Sequence, residues 1–367
     1  MAWLAVYILI FLVALAFSTV MCAAAGGLGR RFGLLDRPSG RKAHARPVAL
    51  TGGWGFVPAF LILVFGGLIS ASWFADRLPA SMAAVAPYLR NIQGVRGDGL
   101  AVLSGLMIIF ITGLVDDLHP LGPKRKLVIQ ILATLPLLYA GISIRGFLPV
   151  PLGWILTAMW IVLLTNSFNL LDNMDGLSAS VALVVCIVLS LAAAAGGERW
   201  LPALFLCFAG ALGGFLFFNF HPASMFMGDA GSLSIGYLMG VFSIMITYYV
   251  PGTPTALPVL MPLAIMGVPL FDTLSVMYIR WRNHKPIMVG DRNHFSHRLL
   301  AMGFGVRQAA IAIAALTGAT GLLALPLRQL DVKWALLHLA GLVLLFAVIV
   351  MLEVAGRRAQ EARNGTH

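Results

Sequence analysis

Long apolar runs recur along the whole chain and are separated by short polar segments. Eleven of these runs approach the roughly 20 residues that an α-helix needs to cross a hydrocarbon core. We predict spans at 3–22, 54–72, 99–116, 126–145, 151–167, 178–195, 201–218, 231–250, 257–277, 308–325 and 333–353. The runs lack the polar–apolar alternation of membrane β-strands, and backbone groups inside a membrane must satisfy one another. The pattern therefore predicts an all-α bundle of about 11 transmembrane helices.

The composition excludes a soluble globular protein. Hydrophobic residues make up 60% of the chain, charged residues 11%, and the mean hydropathy is +0.92, whereas soluble domains carry about 25% charged residues. We predict one integral membrane domain over residues 1–355 and a short cytoplasmic tail over 356–367. Cys22, Cys186 and Cys207 lie in apolar spans and show neither metal-ligand spacing nor a disulfide framework.

The basic residues set the expected orientation. If the N-terminus lies outside, 18 of the 25 Lys and Arg residues fall on the inner side, as the positive-inside rule requires. We therefore predict the N-terminus outside and the C-terminus inside. The net charge of +11 also suits contact with anionic membrane lipids, and a cytosolic anionic substrate would use the same charge. No nucleic-acid-binding module is recognisable, so we expect no nucleic-acid partner.

The five inner loops of this topology are unusually rich in ionisable residues. They read GLLDRPSGRKAHARPVALTGG (loop one), DDLHPLGPKRK (loop two), NSFNLLDNMDGLS (loop three), NFHPASMFMGDAGS (loop four) and RWRNHKPIMVGDRNHFSHR (loop five). Carboxylates, imidazoles and cations thus meet at one membrane face. Ionisable groups at the ends of membrane helices are functional candidates by default.

Loop two begins with two adjacent carboxylates, Asp116 and Asp117, at the end of an apolar run. Like charges side by side repel each other, and carboxylates at a helix C-terminus oppose the helix dipole. Two readings remain open at this point. Both side chains face water beside Lys124, Arg125 or Lys126, or they serve a divalent metal ion or a proton transfer.

Loops three and four contain the other carboxylates of interest. Asn169, Asp172 and Asp175 follow a three-residue spacing, which places them on one face of a helix if the helix continues; alternatively, Asp175-Gly176 starts a helix or a turn. Asp229 lies between glycines and is either an N-cap or a ligand that holds Mg²⁺ against a phosphate. Mg²⁺ usually takes one or two carboxylates and leaves its other positions to water and phosphate, so Asn169 with Asp229 fits that ion.

Loop five combines histidine with arginine. Arg292, His294, His297 and Arg298 are either a positive-inside anchor or a phosphate-binding set, since Arg binds phosphate through two parallel hydrogen bonds. A zinc signature of the HExxH type is absent.

Two further polar groups accompany these residues. Loop one adds Arg41, Lys42 and His44 to the inner cations. Asp272 lies inside an apolar run, where we expect a local ion pair with Arg280, Arg282 or a loop cation.

These residues together predict an inner-face site for phosphoryl chemistry, which needs chiefly positioning and charge neutralisation. A transporter of an anionic substrate is the rival class. Intramembrane charge and broken midplane helices would favour transport, whereas the ionisable groups of this chain cluster at one face.

Six segments, in their order along the chain, resemble the polyprenyl-phosphate N-acetylhexosamine-1-phosphate transferases. The resemblance covers about residues 25–305. The segments are GLLDRPSGRKAHARPVALTGG, GLVDDLHPLGPKRKLVIQ, NSFNLLDNMDGLSA, FNFHPASMFMGDAGSL, PLFDTLSV and DRNHFSHRLLAMG. The resemblance implies transfer of a sugar 1-phosphate from a UDP-sugar to a polyprenyl (undecaprenyl) phosphate, with release of UMP. It further implies Mg²⁺ or Mn²⁺, an active site on the cytoplasmic face of the plasma membrane, and a homodimer.

The resemblance also assigns roles by position. Asp229 and Asn169 match residues linked to the metal and the pyrophosphate, and Asp175 matches one near the uracil and ribose. Asp116 and Asp117 match the paired aspartates, one of which deprotonates or orients the lipid phosphate. The substrate contacts expected from the loops and the resemblance together are Arg41, Lys42, His44, Lys126, Asp172, Asp175, Asn219, Arg292, His294, His297 and Arg298.

Two residues depart from the family pattern. Asn173 stands where many relatives have Gly, and Ser296 stands where many GlcNAc-type relatives carry a further His. We expect UDP-GlcNAc as the donor, with other UDP-N-acetylhexosamines as the alternative. The expected mechanism is direct attack of the lipid phosphate on the β-phosphorus of the donor, with a covalent aspartyl intermediate as the less economical alternative.

Overall fold

A computed structural model describes residues 2–36, 47–74, 77, 86–144, 148–248, 254–285 and 293–364. Within these ranges the chain forms helices and one two-stranded sheet. The helices are α1 Ala2–Arg31, α2 Gly53–Phe74, α3 Ala86–Gly94, α4 Arg96–Leu118, α5 Pro123–Leu132, α6 Leu135–Tyr139, α7 Val150–Leu171, α8 Leu177–Ala195, α9 Trp200–Asn219, α10 Gly228–Met245, α11 Met261–Ile265, α12 Gly267–Arg282, α13 Phe295–Ala301, α14 Val306–Ala324 and α15 Val332–Asn364. The strands are β1 Leu35–Asp36 and β2 Val48–Ala49, and short 3₁₀ turns occupy Leu257–Leu260 and Leu325–Arg328.

The all-α class and a polytopic membrane protein are confirmed. In the part of the chain that the structure describes, eight helices are long and apolar enough to cross a membrane, namely α1, α2, α4, α7, α8, α9, α14 and α15. A ninth span arises if the turn and helix at Leu257–Ile265 are joined to α12, from which they are bent by 70°. Eleven spans and the orientation of the termini stay predictions.

Two of the predicted spans are interrupted, and a proline accounts for each break. The predicted span 126–145 divides into α5 and α6. A proline ring collides with the carbonyl four residues earlier, and for Pro136 that carbonyl belongs to Leu132, the last residue of α5. Pro269 has the same relation to Ile265, the last residue of α11. Both helices end where the following proline requires it.

Helix α10, which replaces the predicted span 231–250, lies in the middle of the bundle. Its side chains are buried along nearly the whole length, and it packs on α2, α4, α7 and α8. Glycines allow this close packing: a Cβ on Gly236 would overlap the backbone of Leu164 and Thr165 in α7. Small residues at helix contacts are typical of membrane bundles. The first turn of α10 is therefore held in a fixed place between other helices.

A small sheet at the same end of the bundle fixes the chain just before α10. Strand β1 pairs antiparallel with β2, with Leu35 opposite Ala49, and Ala49 also forms a parallel bridge with Met225. The N–H of Phe226 donates to the carbonyl of Ala49 at 2.8 Å. The N–H of Gly53 donates to the carbonyl of Met227 at 2.9 Å. Loops one and four are thus joined by backbone hydrogen bonds, which the sequence did not predict.

Candidate active site

The paired aspartates at the end of α4 meet the start of α10. The carboxylate of Asp117 accepts hydrogen bonds from the N–H groups of Asp229, at 2.7 Å, and Ala230, at 3.1 Å. The first N–H groups of a helix have no partner within the helix, and negative charge is favourable there. Asp117 therefore caps α10 from a different helix. Asp229 lies in the first turn of α10 rather than at its N-cap, which is Met227.

Two glycines permit this approach of α4 to α10. A Cβ on Gly113 would overlap the backbone of Ala230. Gly228 has a φ of +71°, and a Cβ there would lie 2.7 Å from a carboxylate oxygen of Asp117. A positive φ is readily adopted only by glycine. Both positions therefore exclude any larger side chain while Asp117 caps the helix.

Lys126, at the start of α5, lies between two carboxylates. Its Nζ donates to Asp116 at 2.8 Å and to Asp229 at 3.0 Å, and Asp116 also accepts the N–H of Leu121. The three side chains are largely shielded from solvent, and the most exposed of them, Asp229, is 30% exposed. One ammonium group thus neutralises carboxylates that come from two different helix ends.

Asn169, in the last turn of α7, completes the contacts of Asp229. Its Nδ2 donates to Asp229 at 3.1 Å and to the Ser232 hydroxyl at 2.8 Å. One turn further into the bundle, Asn166 of α7 donates to Gln130 of α5 at 2.8 Å. We call Asp116, Asp117, Lys126, Asn169 and Asp229 the carboxylate cluster. It brings together the predicted catalytic and metal residues and Lys126.

Asp172 adds negative charge next to this cluster. Burial, and then repulsion from Asp229, Asp117 and Asp175, raise the pKa of Asp172 to about 7. The pKa of Asp229 is also raised, chiefly by burial, although Lys126 opposes the shift. The region therefore holds more carboxyl groups than the single ammonium of Lys126 can neutralise.

The donor set fits a hard divalent cation. Among the residues that the structure describes, no group of three His, Cys, Asp or Glu side chains is arranged to hold a metal ion by itself. Mg²⁺, however, usually binds one or two carboxylates and completes its shell with water and substrate phosphates. The point between Asp116 and Asp229 already accommodates a cation, the ammonium of Lys126, and the surplus of negative charge favours a further one.

Of the two readings of Asn169, Asp172 and Asp175, the shared helical face is wrong, and the alternative, a helix start at Asp175-Gly176, is what the structure shows. Helix α7 ends at Leu171, and Asp172 has non-helical dihedral angles. The Nδ2 of Asn173 donates to the carbonyl of Leu170 at 2.8 Å, which competes with continuation of the helix. Asp172 and Asp175 therefore lie on the turn between α7 and α8.

Asp175 contacts loop four. One of its oxygens lies 2.7 Å from Nδ1 of His221 and 3.1 Å from the backbone N of Ala223, which donates to it. His221 was not among the predicted site residues, and its only signal in the sequence was its place in a polar loop. Asp175 and His221 form a second, separate polar pair beside the carboxylate cluster.

Asn219 is 3% exposed, and both ends of its amide bond the backbone. Its Oδ1 accepts the N–H of Gly176 at 3.0 Å, and its Nδ2 donates to the carbonyl of Met225 at 2.9 Å. These contacts join loops three and four and favour a structural role over the predicted substrate contact.

Loop five presents its histidines from the short helix α13. Asp272 of α12 lies 2.8 Å from Nδ1 of His294 and accepts the N–H of Phe295 at 2.6 Å. The Ser296 hydroxyl donates to Asn173 of loop three, so the two residues that depart from the family pattern contact each other. The rings of His294 and His297 are 6.4 Å apart.

Arg298 is held differently from a phosphate-binding arginine. Its guanidinium is buried and pairs with Glu353 of α15 at 2.9 Å, which favours a structural role over the predicted substrate contact. The remaining predicted residues, Arg41, Lys42, His44 and Arg292, lie outside the described residues.

Comparisons with known proteins agree on one kind of enzyme. The sequence model of glycosyl transferase family 4 matches residues 100–247. The chain is 30% identical over 356 residues, 94% of this chain and 91% of the relative, to a probable undecaprenyl-phosphate N-acetylglucosaminyl 1-phosphate transferase of Bacillus subtilis. It is 31% identical over 78% of its length, and 73% of the relative, to a decaprenyl-phosphate N-acetylglucosaminephosphotransferase of Mycolicibacterium smegmatis. It is 26% identical over 84% of its length, and 81% of the relative, to an undecaprenyl-phosphate alpha-N-acetylglucosaminyl 1-phosphate transferase of Escherichia coli.

Proposed function

This chain belongs to glycosyl transferase family 4, and from that premise we propose that it transfers N-acetylglucosamine 1-phosphate to a polyprenyl phosphate. The product initiates a lipid-linked glycan of the cell envelope. The relatives that support this proposal are named for an undecaprenyl or a decaprenyl phosphate acceptor and for N-acetylglucosamine. The donor in the proposal is UDP-GlcNAc, the acceptor is undecaprenyl phosphate, and UMP is released.

One observation carries the proposal. Carboxylates from the end of α4 and the start of α10 converge on a single cation position, with Lys126 between Asp116 and Asp229. Two phosphorylated substrates that react with each other bring several negative charges to one place. Phosphoryl transfer requires those charges to be positioned and neutralised, and little else from the protein. A partly exposed cluster at one end of a membrane bundle meets that requirement.

Enzymes of this family are metal-dependent. We propose that the ion is Mg²⁺, with Mn²⁺ as the alternative. Asp229 and Asn169 would hold the ion, which supplies neutralisation of the pyrophosphate charge. Asn169 is already oriented by its hydrogen bonds to Asp229 and Ser232. Asp229 is fixed in turn by the cap that Asp117 places on α10.

The chain's own residues divide the remaining work. An oxygen of the lipid phosphate forms a bond to the β-phosphorus, the bond from that phosphorus to the bridging oxygen breaks, and the bridging oxygen leaves with UMP. Lys126 would neutralise charge that develops on the phosphates. Asp116, which contacts the ammonium of Lys126, would orient the lipid phosphate or accept its proton, whereas both oxygens of Asp117 accept the N–H groups that begin α10. Asp117 is then the residue that positions Asp229.

The proposal includes the location of the enzyme. We place the carboxylate cluster on the cytoplasmic face of the plasma membrane, with eleven spans, the N-terminus outside and the C-terminus inside. The distribution of Lys and Arg supports this orientation. The homodimer that the family resemblance implies remains part of the proposal.

The decisive experiment supplies both substrates to purified protein. Protein in detergent is incubated with Mg²⁺, undecaprenyl phosphate and a panel of UDP-N-acetylhexosamines, and UMP and the lipid product are measured. We expect UMP release with UDP-GlcNAc that depends on both the ion and the lipid. Absence of UMP with every donor, together with uptake of an anion into proteoliposomes, would instead establish a transporter.

A further inference from the structure

The C-terminal helix α15 carries a buried carboxylate among apolar side chains. Glu353 is 5% exposed, whereas its neighbours Met351 and Leu352 are 58% and 59% exposed. Glu353 lies 21 residues beyond Val332, the first residue of α15, which is about 31 Å along a helix and close to the thickness of a hydrocarbon core. The carboxylate therefore faces the bundle at one membrane edge, where an unpaired charge would be costly.

The partner of Glu353 is the last basic residue of loop five, Arg298. Its Nε donates to Glu353 at 2.9 Å, and its two terminal nitrogens donate to the Ser275 hydroxyl, at 3.0 Å, and to the carbonyl of Asn293. The guanidinium also lies 5.7 Å from the centre of the Phe295 ring, a cation–π distance. Because its nitrogens are engaged in this way, Arg298 anchors the segment of the chain to which it belongs.

The segment that it holds is α13, which contains His297 and has His294 at its N-cap. A helix of seven residues is unstable by itself, because nucleation is costly and few hydrogen bonds follow it. Its position must therefore be set by contacts to other elements. Asp272 fixes its start through His294 and Phe295, and Glu353 fixes the next turn through Arg298. His297 lies between these two anchors.

We propose that Glu353 is a positioning residue for transfer, which acts through Arg298 to set the orientation of His297 toward the substrates. His294 is buried against Asp272 and anchors the start of α13. Helix α15 is then part of the catalytic apparatus as well as a membrane span. The inference rests on the proposed function, since it needs a reaction in which His297 takes part. An ion pair that only attached α15 to the bundle would affect stability and leave turnover unchanged.

The first test replaces the carboxylate by its amide. Glu353→Gln preserves size and removes the charge, and we expect kcat to fall about 10- to 100-fold, because small displacements of catalytic groups have effects of that order. KM for UDP-GlcNAc should change little. Glu198→Gln makes the same chemical change in the loop between α8 and α9 and should leave both constants unchanged. The buried thiols Cys22, Cys186 and Cys207 report folding, because they react with a maleimide dye only when the bundle opens.

A second measurement does not depend on activity. Hydrogen exchange followed by mass spectrometry reports the protection of residues 295–301, and we expect faster exchange there in Glu353→Gln than in wild type or Glu198→Gln. Arg298→Gln and the double variant complete a mutant cycle. If Glu353 acts through Arg298, the double variant should lose no more turnover than the single variants.

The results separate the possibilities. Unchanged kcat in a folded Glu353→Gln protein would overturn the positioning role, even if exchange in α13 increased. Additive losses in the mutant cycle would show that Glu353 does not act through Arg298 and would overturn it as well. Wild-type protein that releases no UMP would contradict the proposed function itself, a result that the variants do not affect.

Discussion

The carboxylate cluster and helix α13 treat charge in opposite ways. In the cluster, Asp116 and Asp229 share the ammonium of Lys126, and Asp172 lies beside them. Asp229 and Lys126 remain partly open to solvent. At α13, Asp272 and His294 are buried against each other, as are Arg298 and Glu353. Surplus charge that is partly exposed is suited to a ligand that brings opposite charge. Paired and buried charge is suited to holding a segment in place.

This difference predicts that removing a carboxylate affects stability differently in the two regions. The largest effect is expected for Asp229→Asn, which should lower transfer by roughly 10³-fold, because it removes charge stabilisation at the reacting phosphates. Stability without divalent ions should be unchanged or higher, since a carboxylate with a raised pKa is removed. UMP release and thermal unfolding measure the two quantities. Asp331→Asn, before α15, is the matched control, and equal loss of activity there would contradict the assignment.

A loss of stability is expected for Asp272→Asn. Asp272 is 1% exposed and bonds both His294 and the backbone of Phe295. Removing one partner of a buried pair costs about 3 kcal/mol, so we expect the free energy of unfolding to fall by that amount. Denaturation in detergent, followed by thiol reactivity, measures it. A variant as stable as wild type would show that α13 is not held by this pair.

A smaller loss of stability is expected when α4 and α10 are pushed apart. Gly113→Ala places a methyl group against the backbone of Ala230, and overpacking of this kind costs about 2 kcal/mol. Transfer should also fall, because the cap of Asp117 on α10 is displaced. Gly66→Ala in α2, where a Cβ would meet nothing within 4 Å, is the control. Similar stability of the two variants would argue against the tight contact.

The smallest effect concerns pH. The pKa of Asp172 is about 7 in the folded protein and 3.8 as its ordinary value, so the folded state binds more protons between those two values. The free energy of unfolding therefore decreases as pH rises through that window and is constant above it. Asp172→Asn removes this titrating group and should reduce the decrease by about 1 kcal/mol. The effect is no larger because Asp172 keeps partial contact with water, which weakens both the cost of burial and the repulsion. Unfolding at pH 5 and pH 8 without divalent ions tests it, and identical pH dependence in both proteins would contradict it.

The sequence predicted what local patterns determine. Apolar runs gave the helical membrane class, and five polar loops gave the inner-face residues, among them Asp116, Lys126 and Asp229. The interruption of the predicted span 126–145 was readable in principle, since Pro136 stands inside it. Asp172 does not lie on a helical face, because the side chain of Asn173 and the turn at Gly176 end α7 before Asp172.

Other features depend on partners that are distant in the sequence. Glu353 looks like one polar residue at the end of an apolar run until Arg298 is placed beside it. His221 is one of several loop histidines until Asp175 is found 2.7 Å away. The two oxygens of Asp117 turn to backbone N–H groups, which no side-chain motif encodes. Single residues of this kind belong to no periodic pattern and no spaced motif, so the sequence alone does not reveal their partners.

The hydrogen bonds between Ala49 and the chain before α10 set a lower limit on the length of a fragment that keeps the site intact. The stretch that matches the family model begins at residue 100, yet the N–H of Phe226 donates to Ala49 and that of Gly53 to Met227. A fragment cut to the matched stretch would leave polar backbone groups beside Asp229 without their partners. The smallest autonomous transferase therefore includes β2 and α2, which lie before the matched stretch.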